Sequence, residues 1–531
     1  VTANQPSALG AYPLYEDYSF AKCIGILYLV PSGQHIDDTS VGRFHPAKLL
    51  LHLNQHDLSW GILSDGSCWR LYSTKSSRPY EDYVELSLGK TLEDANEAEY
   101  SLFEHFFHRD SFVLESEGNG ESGSNDEKAE VAKCRLDHDR ERSEKALEQY
   151  VKEPFLRQVD EVLQNICNGF IYETSKSKNG GKTGGLEYTE EGRKEIFESA
   201  VKLIYRCLFL FYAEARRLFP TEPEHAERYQ NVSMQALCHE ARKFRWGERR
   251  DYDQYDLWKR LQGLVDAVNN GDPEYGIMGY DGGLFDNKEE AFLGEHQLRN
   301  NFLSRALYLL SFVEPPDNEP DSEYPIPYED LEVRHLGELY ENILEYTVLL
   351  ADADYIRRRN RRGTEIVLAS QTTKKAGDTL IEKGQVYFGE SALERKQTGS
   401  YYTPESLVRF LNQKSIIQPL KETFESKYRQ RFNDLLEQAH SGHTDNIKRG
   451  AALSAAELVE RFVKEEILTF TVCDPAMGSG HFLINATNQM AGLITALLAE
   501  VPYAEGAAAG FGHPNFWRRQ ITRHCIYGVD L

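Results

Sequence analysis

The sequence lacks several features that would assign it quickly. Its eight cysteines (Cys23, Cys68, Cys134, Cys167, Cys207, Cys238, Cys473 and Cys525) include no Cys-x-x-Cys pair. Neither a zinc site nor a disulfide framework is indicated, no metal is expected, and a reducing cytoplasm fits. Basic side chains are scarce, 60 against 84 acidic ones for a net charge of −24. That balance argues against a general nucleic-acid binder, yet leaves room for one basic cleft on an acidic body. No signal peptide and no uninterrupted apolar span of membrane length are found. The most apolar helix candidate, Ile196 to Phe219, carries Lys202, Arg206 and Glu214 and reads as a buried core helix. No membrane partner is therefore expected. Nor does any strand carry the Glu-x-Lys of a metal-dependent nuclease. Glu16, Asp17, Asp37 and Asp38 have no lysine at that offset, and Glu425-Ser-Lys427 lies in a charged helical stretch. Without carboxylates to hold magnesium, phosphodiester cleavage has no footing.

What is present points to an α/β multidomain chain. A length of 531 residues is too much for one core and predicts two to four domains. Residues 1–113 read as an N-terminal α+β domain. Cys23 to Val30 has strand character, Pro46 opens a helix, and Ser59–Ser64 and Cys68–Tyr72 flank Asp65-Gly66 as a hairpin. Residues 114–130 are a Gly/Ser/Asn/acid stretch that cannot bury apolar surface, hence a linker. Residues 131–312 have helical periodicity and form a spacer, broken by an insert at Ser175 to Gly185. A Pro/acid linker follows at 313–330, and 331–531 make the last domain. The first residue is Val and Leu531 directly follows a β-type run, so both ends look cut.

From Tyr328 to Leu350, across the start of the last domain, apolar residues fall on one helical face. Ile366–Ala369 and Gln385–Phe388 are expected to pair as a β-hairpin. Arg357, Arg358, Arg359, Arg361 and Arg362 form the densest basic run, read either as a solvated helix end or as a DNA phosphate contact. Arg242-Lys243-Phe244-Arg245-Trp246-Gly-Glu-Arg249-Arg250 interleaves bases with aromatics, but packing of Phe244 and Trp246 is the favoured reading.

One stretch organises the rest. Thr469 to Asp474 is an apolar β-type run ending in an acid; Pro475-Ala476-Met477-Gly478-Ser479-Gly480 follows as a tight turn, and a helical pattern begins at His481-Phe482-Leu483. The glycines let backbone approach a ligand, and the helix start offers N–H groups to it. The spacing fits neither a dinucleotide fingerprint nor a phosphate loop.

Asp474-Pro475-Ala476-Met477-Gly478-Ser479-Gly480-His481-Phe482 resembles the S-adenosylmethionine loop of amino-methylating DNA methyltransferases, Asp-Pro-x-x-Gly-Ser-Gly-x-Phe. Gly399-Ser400-Tyr401-Tyr402-Thr403-Pro404 is similar to their companion motif, Gly-x-Tyr-Tyr-Thr-Pro, and the order of the two matches the gamma class of N6-adenine methyltransferases. The pattern Trp60 to Tyr72 also looks like one in the N-terminal regions of large fused restriction-modification and phage-defence methyltransferases. The resemblance implies that 331–531 begins a Rossmann-like domain and that S-adenosylmethionine is the cofactor. In that family Gly478 and Gly480 would border its methionine part, with Pro475, Ala476 and Ser479 completing the loop. Asp474 would take its amino group, or else simply cap the helix. Phe482 would pack near it, or else in the core. Tyr401, Tyr402, Thr403 and Pro404 would border its carboxylate, although the tyrosines could equally be core residues. Asp530, at the tip of a second strand, would bond its ribose. The stretch between Asp474 and Asp530 exceeds a minimal strand-helix-strand unit, and Glu500 to Pro514 reads as a loop insert. Glu314-Pro315-Pro316-Asp317 is not the family's catalytic Asn/Asp-Pro-Pro-Tyr/Phe, since both outer residues differ; that motif is expected beyond Leu531. The expected function is adenine-specific methylation of double-stranded DNA in a bacterial restriction-modification or phage-defence system, of the DISARM or BREX kind, with other defence subunits as partners. The alternatives are a bifunctional type IIG endonuclease-methyltransferase and a non-catalytic scaffold.

Overall fold

The computed structural model describes residues 10–114, 133–146, 153–176, 189–313, 323–331, 346–360, 363–390 and 403–529, with short gaps inside several of these spans. The fold is mixed α/β with several small sheets. It divides into two compact units, Val1–Ser143 with Tyr402–Leu531, and Glu144–Tyr401. This division cuts across the boundaries expected from composition: residues 402–531 group with the first segment, and 331–401 with the helical middle. The linker at 114–130, most of the insert at 175–185 and the Glu314-Pro-Pro-Asp run lie outside the described residues.

The first unit opens with a five-stranded sheet in sequence order, β1 (Ala11–Tyr15), β2 (Cys23–Leu29), β3 (Trp60–Ser64), β4 (Cys68–Ser73) and β5 (Tyr83–Ser87). β2 and β3 are parallel, joined by α1 (His45–Gln55), and the other neighbours are antiparallel. Proline in the first turn suits α1 because its missing N–H would be unpaired there. Side-chain alternation sends Ile26, Tyr28, Leu63 and Tyr72 to the α1 face. On the opposite face Ile62 and Leu71 pack with Phe112 and Leu136. Gly61 makes the helix-sheet contact possible, since a Cβ there would lie 2.8 Å from a Leu49 methyl and 2.9 Å from a Leu53 methyl. The Asp65-Gly66 hairpin forms as expected: Gly66 has φ +99°, and the Asp65 carboxylate accepts from the backbone N–H groups of Ser67 and Cys68. Two helices follow, α2 (Leu88–Glu93) and α3 (Glu97–Phe107), and Phe103 and Phe107 of α3 meet the Trp69 ring edge-on. In α4 (Arg135–Ala146), Asp137 accepts from Trp60 Nε1 at 3.1 Å and pairs with Lys75 at 2.7 Å. These bonds fasten the start of the expected spacer to the first sheet.

The second unit is a helical cluster of α5 (Glu153–Lys176), α6 (Glu190–Ala215), α7 (Ala226–Gln230), α8 (Met234–Arg245), α9 (Asp256–Asn270), α10 (Ala291–Glu295) and α11 (Asn300–Ser311) around one large core. Short strands β6 (Phe312–Val313) and β7 (Tyr324–Pro325) pair antiparallel beside it. Next come β8 (Tyr346–Leu350), β9 (Tyr355–Asn360), β10 (Gly363–Leu368), β11 (Thr379–Ile381) and β12 (Val386–Glu390). Three expectations are corrected here. Tyr346–Leu350 is a strand, not the end of a helix. Arg357, Arg358 and Arg359 of the basic run lie on β9 rather than at a helix end. Ile366–Leu368 pairs with β9 while Val386–Phe388 pairs with β8, so the two do not form one hairpin.

The chain re-enters the first unit with α12 (Glu405–Asn412), which runs on through a π-turn into α13 (Gln418–Lys427), then α14 (Arg429–Ser441) and α15 (Asp445–Phe462). β13 (Val472–Asp474) leads to α16 (His481–Glu500), α17 (Pro514–His524) and β14 (Ile526–Gly528), which pairs parallel with β13. The length beyond a minimal unit is thus a loop plus a second helix. By length and composition α16 alone among the described helices could cross a bilayer, and Ile196–Phe219 is not the most apolar. Most of α16 is buried, and it packs on α1.

Residues 500–514 also hold the N-terminal segment in place. Ala504 and Gly512 donate backbone N–H to the carbonyls of Val41 and Thr39. Arg43 lies over the Tyr503 ring at 3.6 Å, and Arg518 pairs with Glu81 at 2.6 Å, the latter pair largely buried. Gly42, at φ +77°, has no room for a Cβ, which would stand 2.5 Å from the Tyr503 nitrogen.

Candidate functional site: a glycine loop braced by two helices

The turn after β13 is built by backbone rather than by side chains. Gly478 (φ +50°) and Gly480 (φ +77°) occupy the left-handed region, which a side chain would strain. Gly480 N–H donates to the Met477 carbonyl at 2.8 Å, and Met477 N–H to the Val529 carbonyl at 3.0 Å, tying the loop to the end of β14. Gly528 lets the Met477 side chain lie against the end of β14, since a Cβ on it would overlap the Met477 sulfur and make that side chain move. In front of Gly480 the space is open: a Cβ would meet nothing within 4 Å. Helical bonding starts with Ile484 N–H to the Gly480 carbonyl, so the N–H groups before it head the helix.

Asp474 ends β13 half-buried, and its Oδ1 accepts from Ala476 N–H at 3.1 Å. That bond closes an Asx-type turn within the loop rather than capping α16, whose N-cap is Gly480 with no side-chain cap bond, and it engages one carboxylate oxygen. Pro475 and Ala476 are exposed, and Ser479 and Phe482 are half-buried at the loop rather than deep in the core.

The companion segment is brought to the same place. Thr403 and Pro404 lead directly into α12, whose first residue, Glu405, pairs with His481, the first residue of α16. Asn485 donates to the other Glu405 oxygen at 2.9 Å. Asn412, 5% exposed, donates to the Phe482 carbonyl and to Asn485 Oδ1, each at 3.0 Å. Gln489 donates to the Arg409 carbonyl at 3.1 Å. These polar contacts couple segments some seventy residues apart. Sequence reading missed Glu405, Asn412, His481, Asn485, Met477 and Gly528; the available signal was polar residues at four-residue spacing on an otherwise apolar helix, His481, Asn485 and Gln489. Tyr401, Tyr402 and Asp530 lie outside the described residues.

The basic run belongs to the other unit. Arg357, Arg358 and Arg359 lie on β9, and Arg361 and Arg362 are outside the described residues. Arg358 is committed internally, donating to both Asp378 oxygens, at 2.8 Å from Nη2, and to the Thr373 carbonyl at 3.0 Å. Its guanidinium holds the Asp378 carboxyl below the usual carboxylate range. In the second basic run, Arg242 pairs with Glu323, Lys243 with Glu240, and Arg249 with Glu240, Asp251 and Asp256. Phe244 is buried as favoured, whereas Trp246 is 41% exposed.

No group of three or more His, Cys, Asp or Glu side chains placed to hold a metal occurs among the described residues. Near the first sheet, Asp37 and Glu85 both bind the buried Arg70, each at 2.6 Å. No protein-family model matches the chain, and neither does any curated protein or solved structure.

Proposed function

We propose that the chain is part of an adenine-specific DNA methyltransferase of a bacterial restriction-modification or phage-defence system, and that β13, α16, α17 and β14 open its Rossmann-like S-adenosylmethionine domain. The observation that carries this reading is the Glu405–His481 and Glu405–Asn485 brace, which puts the Thr403-Pro404 segment against the helix that heads the glycine loop. Two motifs that merely coincided in sequence would have no reason to meet.

The residues fit the cofactor by their chemistry. Two left-handed glycines with open space before Gly480, the first N–H groups of α16 and a half-exposed Asp474 form a cradle suited to an amino-acid zwitterion. Asp474 would hold the amino group, and the α16 start would face the carboxylate. When bound, the cofactor supplies an electrophilic methyl group; this chain's loop orients it and, with Phe482, limits water around it. The target would be double-stranded DNA, with other defence subunits as partners.

Calorimetric titration of S-adenosylmethionine into this chain, and into a chain extended through an Asn/Asp-Pro-Pro-Tyr/Phe motif, tests the reading. Saturable binding lost in Asp474→Ala is expected. No binding by either form would sink the proposal and leave the scaffold alternative in front.

A further inference from the structure

We propose that the helical unit carries a binding site for an uncharged sugar ring, separate from the glycine loop and independent of the methyltransferase reading. The site is a cavity of about 450 Å³ between α8 and α11, bordered by α5 and by the segment after α8. That volume lies within the usual range for small-ligand sites, about 300–1,000 Å³, and holds a pyranose ring.

Charge argues against an ion. The lining contains no Asp or Glu, and its two arginines are committed. Arg305 spends Nε and Nη2 on Glu161, each at 2.8 Å, and Arg245 is engaged within the fold. The Tyr308 hydroxyl donates to Glu323, which also holds Arg242. Neither an anion nor a cation finds an unmatched opposite charge here, so the walls suit a neutral ligand.

Neutral hydrogen-bonding groups are what remains open. Ser304 is only 4% exposed, and its hydroxyl has no hydrogen-bond partner among the described residues. A buried hydroxyl left unpaired is costly, so its presence in the wall asks for a partner supplied from the cavity. Asn301, three residues earlier on the same helix, has its side-chain amide equally unpaired among the described residues. On α5, Asn165 donates to the Glu161 carbonyl at 2.8 Å, which leaves its own amide oxygen to accept. These groups reach the cavity from two helices. That spread matches hydroxyls arranged around a ring better than the single donor-acceptor edge of a base.

The aromatic wall is one-sided. Tyr252 is 40% exposed, whereas its neighbour Phe244 is buried, with the Arg249 guanidinium 4.7 Å from its centroid. The two rings are 5.5 Å apart and inclined at 56°, so they form no slot that would sandwich a planar base. A single accessible ring suits a pyranose, which presents C–H bonds to the π cloud on one face and hydroxyls around its rim. The sugar could come free in solution or as one unit of a glycan.

The test titrates the full chain with glucose, galactose, N-acetylglucosamine and maltotriose, and with adenosine and adenosine monophosphate as contrasts, following saturation-transfer NMR and tryptophan fluorescence. The variants are Tyr252→Ala, which removes the exposed ring, and Ser304→Ala, which removes the unpaired hydroxyl. At least one sugar should bind saturably and more tightly than either contrast, with the C–H protons of one face most strongly saturated. Each variant should lose about tenfold in affinity. Ser304→Ala should nevertheless melt no lower than wild type, because a hydroxyl without a protein partner adds nothing to the fold. A purely structural role would not separate melting from affinity in this way. Tighter binding of maltotriose than of glucose would identify a glycan as the source, and equal binding a free monosaccharide. No saturable binding of any sugar, tighter binding of adenosine or its monophosphate, or unchanged affinity in either folded variant overturns the proposal. Retention of S-adenosylmethionine binding by the variants keeps this result distinct from the test of the glycine loop.

Discussion

Two parallel strand-helix-strand crossovers sit in the first unit with their helices packed together, and they begin those helices in opposite ways. α1 starts at His45, which is 1% exposed, has no hydrogen-bond partner on either ring nitrogen among the described residues, and lies 5.9 Å from the Tyr28 ring. α16 starts after two left-handed glycines, with open space in front of Gly480. The topology is shared, so topology alone does not set how the helix start is presented. The preceding loop decides it. Residues 30–44 carry the chain to a sealed apolar entry, whereas 475–480 turn tightly, with Pro475 and Ala476 exposed and room for a Cβ at the buried Gly480.

The largest effect should come from breaking the junction between the two. Gly42→Ala would place a Cβ against the backbone of Pro502 and Tyr503 while also straining φ +77°, at a cost of about 3–4 kcal/mol. Gly33 has a similar φ of +82° and nothing within 4 Å, so Gly33→Ala should cost only about 1 kcal/mol. Denaturant melts of both variants check this. Equal losses would mean that the 39–44 segment does not pack on the 500–514 loop.

The sealed entry should respond to acid. Burial pushes the His45 pKa down to about 4, with Lys48 and Arg43 adding to that and Asp38 opposing it. Lys48, in the same first turns, is itself pushed down to about 8 by burial. Above the ordinary histidine value of 6.5, folded and unfolded forms are both neutral and the contribution is complete. Between 6.5 and about 4 only the unfolded chain takes the proton, so stability falls as pH falls, by about 3 kcal/mol in all, and then levels off. Carboxylates also titrate in this window, so the informative quantity is the difference between wild type and His45→Leu. Parallel stability-pH curves for the two proteins would show that His45 is not held neutral.

The parts of this molecule that could be read in advance are those where a local backbone demand is written into residue type. Asp65-Gly66 and the Gly478–Gly480 turn needed left-handed backbone, and both strand-turn boundaries were found close to where they lie. Charge runs behaved differently. Arg358 is spent on Asp378, twenty positions later, and no local pattern distinguishes that from a phosphate contact. α17 was hidden behind an Ala/Gly-rich stretch, although Pro514 at its start and Trp517 and Ile521 one turn apart were visible signals. The grouping of 402–531 with the first segment depends on contacts such as Glu81–Arg518, separated by most of the chain, which periodicity cannot encode. Of the candidate site, sequence identified the loop but not its brace.

The brace gives the smallest and most specific prediction, and it rests on the methyltransferase reading for its second readout. Glu405→Ala leaves His481 and Asn485 without the carboxylate they share, at a cost of about 2 kcal/mol because both are half-buried. Glu405→Gln can still accept from Asn485 and should lose less than about half of that. If α12 only stabilises the fold, the two variants differ in melting but bind S-adenosylmethionine alike once folded. If α12 holds the Thr403-Pro404 segment against the loop, affinity falls about tenfold in Glu405→Ala and is largely restored in Glu405→Gln. Titration at a temperature where both variants are fully folded separates the two. Unchanged affinity with reduced stability would reassign the brace to folding and remove the contact on which the shared site is argued.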